Sequence, residues 1–150
     1  MSNTAMRTPG SILLVEDDAA VRRVLERRLR REGYDVVVAS SAEQAIAAVE
    51  YAKAPICLAL LDVVLPPPGS TAVLEAIRPV MSPLRVLIIS GFDEASVRRS
   101  SLFSALEHEP HFRFLEKPFE LVTLIAYIED LLRRDEPAVE IATGEWRIPA

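Results

Sequence analysis

Apolar residues in this chain fall into two alternating patterns. Short continuous runs at 11–15, 34–38, 57–62, 84–89 and 112–115 have the length of buried strands. Between them, apolar residues recur at helical spacing. Val21, Val24, Leu25 and Leu29 share one face over 19–31, and Gly33 is placed to stop that helix. Ser40 and Glu43 have the spacing of a capping box, opening a second helix to about residue 52. Residues 70–77 predict a third, with Ser70 as its cap and Pro79 as its stop. Residues 93 to about 107 predict a fourth on a weak apolar face of Ala95, Val97, Leu102, Phe103 and Leu106. The best-patterned helix is 120–133, where Leu121, Leu124, Ile125, Ile128, Leu131 and Leu132 are apolar. Strands alternating with five helices predict an α/β fold, a parallel sheet covered on both faces by right-handed crossovers. The pattern spans 11–134. Residues 1–10 read as a polar, poorly ordered arm and 135–150 as a tail.

The run at 57–62 stops on a carboxylate. Pro66, Pro67 and Pro68 bar a central strand from continuing, so Asp62 is placed at the carboxyl end of a buried strand. By itself Asp62 reads equally well as a turn residue. Three other strand ends change that. Glu16 and Asp17 follow the first strand, Ser90 follows the fourth and Lys117 the fifth. In a parallel sheet these ends lie on one edge, where open α/β sheets bind ligands. Three carboxylates in one cleft repel one another, and a hard divalent cation with oxygen ligands resolves the repulsion. Mg²⁺ needs only a couple of carboxylates and keeps several waters, leaving room for a phosphate oxygen. Lys117 and Ser90 are then placed to bind the remaining phosphoryl oxygens. Asp62, central among them, is placed as a nucleophile that becomes an acyl phosphate. Asp18, the first polar residue before a helix, is an N-cap candidate.

Composition narrows the setting. At 150 residues, half of them hydrophobic, the chain has the size of one domain with a substantial core. A net charge of −5 gives no overall attraction to nucleic acid or an anionic membrane. The single cysteine, Cys57, lies in an apolar run and reads as a buried inert thiol suited to a reducing cytoplasm. We find no signal-peptide core and no run of membrane-spanning length. Arg22, Arg23, Arg27, Arg28, Arg30 and Arg31 make the first helix basic, either as a solvated face or as a docking face for an acidic partner. His108 and His111 read as loop residues, and Trp146 either folds back onto the domain or is exposed.

The motifs at the four strand ends resemble the response-regulator receiver domain of two-component signalling, over roughly residues 11–133. They are Ile12-Leu13-Leu14-Val15-Glu16-Asp17-Asp18, Leu60-Leu61-Asp62, Leu87-Ile88-Ile89-Ser90-Gly91 and Phe114-Leu115-Glu116-Lys117-Pro118-Phe119. The resemblance implies a flavodoxin-like, doubly wound five-stranded sheet of order 2-1-3-4-5. It implies phosphotransfer to Asp62 from a histidine kinase or a histidine phosphotransfer protein. In that scheme Mg²⁺ is held by Asp17 directly, by Glu16 mainly through water, by Asp62 and by the backbone carbonyl of Val64. Ser90 is the hydroxyl that follows the phosphoryl group, Lys117 the motif lysine with a cis bond to Pro118, and Phe114 the aromatic switch. The implied homodimer uses the fourth helix, fifth strand and fifth helix.

Two departures stand out. The loop after the phosphoacceptor usually reads Met/Leu-Pro-x-Met-Asp-Gly, whereas here it is Leu65-Pro66-Pro67-Pro68-Gly69-Ser70. The Ser90–Lys117 stretch is longer than usual, which leaves the position of the fourth helix open. Functionally, the expectation is a stand-alone phosphoacceptor in the cytoplasm, not a turnover enzyme, touching neither nucleic acid nor membrane. The alternatives are a receiver fragment of a hybrid histidine kinase and a haloacid-dehalogenase-like phosphatase. The latter requires a second aspartate two positions after the nucleophile, where this chain has Val64.

Overall fold

The computed structural model describes residues 10–52, 54–133, 139–140 and 146–147. Five parallel strands, β1 (Ser11–Val15), β2 (Asp35–Ala39), β3 (Ile56–Asp62), β4 (Val86–Ser90) and β5 (Phe112–Glu116), form one sheet of order β2-β1-β3-β4-β5. The predicted flavodoxin-like topology is the one observed. Six helices flank the sheet among the described residues: α1 (Ala19–Arg31), α2 (Ala42–Glu50), α3 (Gly69–Ile77), α4 (Glu94–Arg98), α5 (Ser101–Leu106) and α6 (Leu121–Arg133).

Alternation along the strands divides the core in two. Leu13, Val15, Ala59, Leu61, Val86 and Ile88 face Ala45 of α2, Val73 and Leu74 of α3, and Leu102 and Leu106 of α5. Ile12, Leu14, Leu58, Leu60, Leu87 and Ile89 face Leu25 and Leu29 of α1, and Leu124, Ile128 and Leu131 of α6. β3 is buried along its whole length, as a strand with neighbours on both edges and helices on both faces must be.

Local signals hold well at the ends of α1. Asp18 Oδ1 accepts from the Ala20 and Val21 N–H groups (2.9 and 3.1 Å), so Asp18 is the N-cap. At the other end Gly33 has φ +93°. Its N–H donates to the Arg30 carbonyl and that of Tyr34 to the Leu29 carbonyl, a Schellman stop.

Four expectations need correction. Val24 is 53% exposed, because Leu25 and Leu29 alone carry the buried stripe of α1. The α2 cap is one residue later than predicted: Ser41 Oγ accepts from Gln44 N–H (3.1 Å), while Gln44 Oε1 accepts from the N–H and hydroxyl of Ser40. The expected fourth helix is two, which makes six helices instead of five. Ser100 breaks it: its hydroxyl donates to the Val97 carbonyl (2.6 Å) and accepts from Phe103 N–H (3.1 Å), ending one helix and capping the next. Finally, Ser70 does not cap α3, whose N-cap position is Pro68.

Val139–Glu140 (β6) and Trp146–Arg147 (β7) pair as a short antiparallel ladder within the stretch read as a tail. The disposition of the Trp146 side chain, the rest of the tail and the arm at 1–9 lie outside the described residues. No helix among the described residues is long and apolar enough to cross a membrane.

Candidate functional site

Four strands deliver polar residues to the carboxyl edge of the sheet. Glu16 directly follows β1, and its N–H donates to the Ala39 carbonyl at the end of β2 (3.1 Å). Asp62 is the last residue of β3 and Ser90 the last of β4. Lys117 follows β5, where its N–H donates to the Ser90 carbonyl (2.7 Å). Carboxylate oxygens of Glu16, Asp17 and Asp62 lie within 4.8 Å of one another. Glu16 and Asp62 are buried and Asp17 is exposed.

Lys117 neutralises part of this charge. Its ammonium donates to Glu16 Oε1 at 2.9 Å and to Asp62 Oδ2 at 3.0 Å. The other oxygen of each carboxylate accepts a backbone N–H: Glu16 Oε2 from Asp18 (3.1 Å) and Asp62 Oδ1 from Val64 (2.9 Å). Burial pushes the Glu16 carboxyl above its ordinary pKa against the pull of Lys117 and the Asp18 N–H, and the Asp62 charge adds to the rise. Burial works against the Lys117 ammonium, yet its bonds to Glu16 and Asp62 outweigh that and raise its pKa. Three carboxylates converging on one point, only one of them exposed, are a donor set that suits a hard, oxygen-seeking divalent cation.

The other side chains at and near the strand ends are not members of this carboxylate cluster. The Ser90 hydroxyl is buried and accepts from Phe92 N–H (3.0 Å); among the described residues it has no bond to the carboxylates or to Lys117. Val64 and Phe92, both on loops leaving the edge, are 51% and 54% exposed. Phe114 pairs with Ile88, is half-buried, and packs against the core that contains α3 and α5. It also lines a cavity of about 430 Å³ with Arg98, Phe103, Phe112, Arg113 and Asp130. The Lys117–Pro118 bond is cis. His108 is exposed, the His111 carbonyl accepts from Val86 N–H, and among the described residues the acidic cluster consists of Glu16, Asp17 and Asp62.

The family model of the response regulator receiver domain matches residues 12–129. The chain belongs to that family. Among curated relatives, the sensor kinase CckA of Brucella abortus is 29% identical over 133 residues, covering 89% of this chain and 14% of the relative. The response regulator MprA of Mycobacterium leprae is 35% identical over 126 residues, covering 84% of this chain and 52% of the relative. The receiver therefore spans about half or less of the curated relatives it matches. Among solved structures, the receiver domain of the hybrid histidine kinase CckA is 32% identical with a TM-score of 0.66, covering 82% of this chain and 99% of that one. A response regulator receiver protein from Sinorhizobium medicae WSM419 is 29% identical with the same TM-score, covering 82% and 94%.

Two residues at the receiver's acidic edge escaped the sequence reading. Arg22 counts as part of a solvated basic face, but its guanidinium donates to the Glu16 carbonyl at 2.8 Å and to that of Asp17 at 3.4 Å. Arg28 and Arg30 pair with Glu32 and Glu26 one turn away, but Arg28 is half-buried and the Arg30 guanidinium also donates to the Val36 carbonyl of β2 (3.0 Å), so the solvated reading holds for the exposed Arg23, Arg27 and Arg31. Ser70 counts as a helix cap, but its buried hydroxyl donates to the Asp62 carbonyl. Spacing along the chain carries no signal for either contact, since both depend on how a loop returns to a strand end.

Proposed function

We propose that this receiver accepts a phosphoryl group on Asp62 from the phosphohistidine of a histidine kinase or histidine phosphotransfer protein. Modified in this way, it switches conformation to regulate a partner protein. The observation that supports this reading best is the Lys117 ammonium shared between Glu16 and Asp62 at the edge where the acidic residues converge. In the reaction, a carboxylate oxygen of Asp62 attacks phosphorus. The P–N bond breaks and the imidazole leaves, taking up a proton. Lys117, already on Asp62, is positioned to follow the charge that moves onto the phosphoryl oxygens, with the Ser90 hydroxyl as a second donor from the adjacent strand end. Glu16, Asp17, Asp62 and the Val64 carbonyl are the groups that would hold Mg²⁺, which supplies charge neutralisation to the carboxylates and phosphoryl oxygens.

In this reading residues 11–134 are the receiver unit, flanked by an arm at 1–10 and a tail at 135–150, and the chain is a cytoplasmic regulatory phosphoacceptor, not a turnover enzyme. The exposed Arg23, Arg27 and Arg31 on α1 offer a basic face to an acidic phosphodonor. Homodimerisation would use the face of the expected fourth helix, now α4 and α5, with β5 and α6. The test is incubation with acetyl phosphate and Mg²⁺ followed by intact mass. The expected result is one added phosphoryl group on the parent and none on a folded Asp62→Asn variant. Undiminished labelling of that variant overturns the assignment.

A further inference from the structure

The two strand ladders that hold β3 stop at different places. The β1–β3 ladder ends at the pair Val15–Leu61, and the β3–β4 ladder at Asp62–Ile89, followed by one bond from Val63 N–H to the Ile89 carbonyl (3.1 Å). The carbonyls of Asp62 and Val63 lie at or beyond these ends. Asp62 is buried, and a buried carbonyl without a donor is costly. The donor comes from the next element. Ser70, in the first turn of α3 and itself buried, donates its hydroxyl to the Asp62 carbonyl and holds the same oxygen 3.3 Å from the Val63 carbonyl. The same backbone steers the Asp62 side chain, because the N–H of Val64 binds Asp62 Oδ1 at 2.9 Å.

We infer that Ser70 is a positioning residue for the phosphoacceptor. Its hydroxyl ties α3 to the end of β3 across the Pro66-Pro67-Pro68 loop. That tie sets where the Asp62 carboxylate and the Val64 carbonyl stand relative to Glu16 and Asp17. Ser70 occupies the place where the resembling motif usually carries glycine, a residue with no hydroxyl to make the tie. The inference rests on the phosphoacceptor reading for what the positioned groups do. The tie itself rests on hydrogen bonds alone.

The experiment compares the parent with Ser70→Ala, Ser70→Thr and Val73→Ala. Val73 is a fully buried α3 residue, and its truncation reports the effect of loosening α3 by lost packing alone. Three quantities are read: thermal midpoint, Mg²⁺ affinity followed through the Asp62 and Val64 amide resonances, and the rate of phosphorylation by acetyl phosphate at saturating Mg²⁺. Ser70→Ala is expected to weaken Mg²⁺ binding on the order of tenfold, the usual effect of losing a group that orients ligands from behind. It should also slow phosphorylation. Ser70→Thr, which keeps the hydroxyl, should restore both, and Val73→Ala should lower the midpoint while leaving Mg²⁺ affinity near the parent's. Ser70→Ala with parental Mg²⁺ affinity, or with a loss no larger than that of Val73→Ala, overturns the inference. If Ser70→Ala does not fold, Ser70→Cys replaces it: its weaker donor should give an intermediate affinity, and an unchanged one overturns the inference. A parent that binds Mg²⁺ but takes no phosphoryl group refutes the phosphoacceptor reading alone, and a parent that binds no Mg²⁺ refutes both.

Discussion

The Lys117 ammonium lies between Glu16 and Asp62, 2.9 Å from one carboxylate and 3.0 Å from the other, joining residues from the two ends of the domain. Lys117→Ala leaves the buried Glu16 carboxylate facing Asp62 without a cation. The expected cost is about 1–3 kcal/mol, the penalty for leaving a buried acceptor unsatisfied. Thermal unfolding measures it. Millimolar Mg²⁺ should recover part of the loss, and an unchanged midpoint would show that the ion pair contributes nothing.

Asp17 and Asp18 are neighbours with different work. Asp18 Oδ1 is occupied by the N–H groups of Ala20 and Val21, whereas Asp17 belongs to the acidic cluster. Asp18→Ala should cost about 1 kcal/mol as a lost cap and leave Mg²⁺ binding intact. Asp17→Ala should abolish the stabilisation by Mg²⁺. The reverse outcome in a calorimetric titration would place the register of the site one residue away.

Phe114 stands beside the cavity lined by Phe103 and Phe112, whose rings meet edge-on with centroids 5.6 Å apart. If phosphorylation draws the Ser90 hydroxyl away from Phe92 N–H, space opens for Phe114 to turn inward, where packing alone holds it. Such a ligand shifts the equilibrium only through differential contacts with the two states. The ring resonances of Phe114 should therefore move on addition of a phosphoryl mimic, and identical spectra would contradict the switch.

Val64 and Phe92 stand two positions after Asp62 and Ser90, and neither side chain accepts a hydrogen bond. Neither can orient a water for in-line attack on an acyl phosphate, so dephosphorylation should be slow. Loss of a water-positioning group costs about ten- to a hundredfold in rate, taking the lower range for positioned bases. The decay of the phosphorylated parent is to be compared with that of Val64→Asn and Phe92→Glu. A parent that decays within seconds, no slower than these variants, refutes the argument.

Cys57 is buried in β3, and burial pushes its thiol pKa up. The native protein should resist a thiol reagent at pH 8 and react once denatured. With the folded pKa raised, the contribution of this group to stability is whole below the unfolded thiol pKa near 9.0. It is lost as pH climbs through the folded value. Rapid native-state labelling at pH 8 would show that the strand opens locally.

Sequence by itself determined the strands, most helix limits and the residues at the carboxyl edge. Those features are written in spacing: continuous apolar runs for β1, β3 and β4, helical periodicity in α1 and α6, and polar residues where each run stops. Hydrophobic burial acts on such patterns over a few residues, which makes them legible without a fold. Tertiary structure decided what depends on meetings between distant segments. It paired Lys117 with Glu16 and Asp62, turned Ser70 from a helix cap into a donor for the strand end, and brought Arg22 onto the carbonyls of Glu16 and Asp17. It also left Val24 in solvent and let Ser100 divide a weakly amphipathic helix in two. Each of these outcomes is a competition for one hydrogen-bond partner or one patch of core. The winner is set by the path of a loop, and no local pattern of residue types encodes that path.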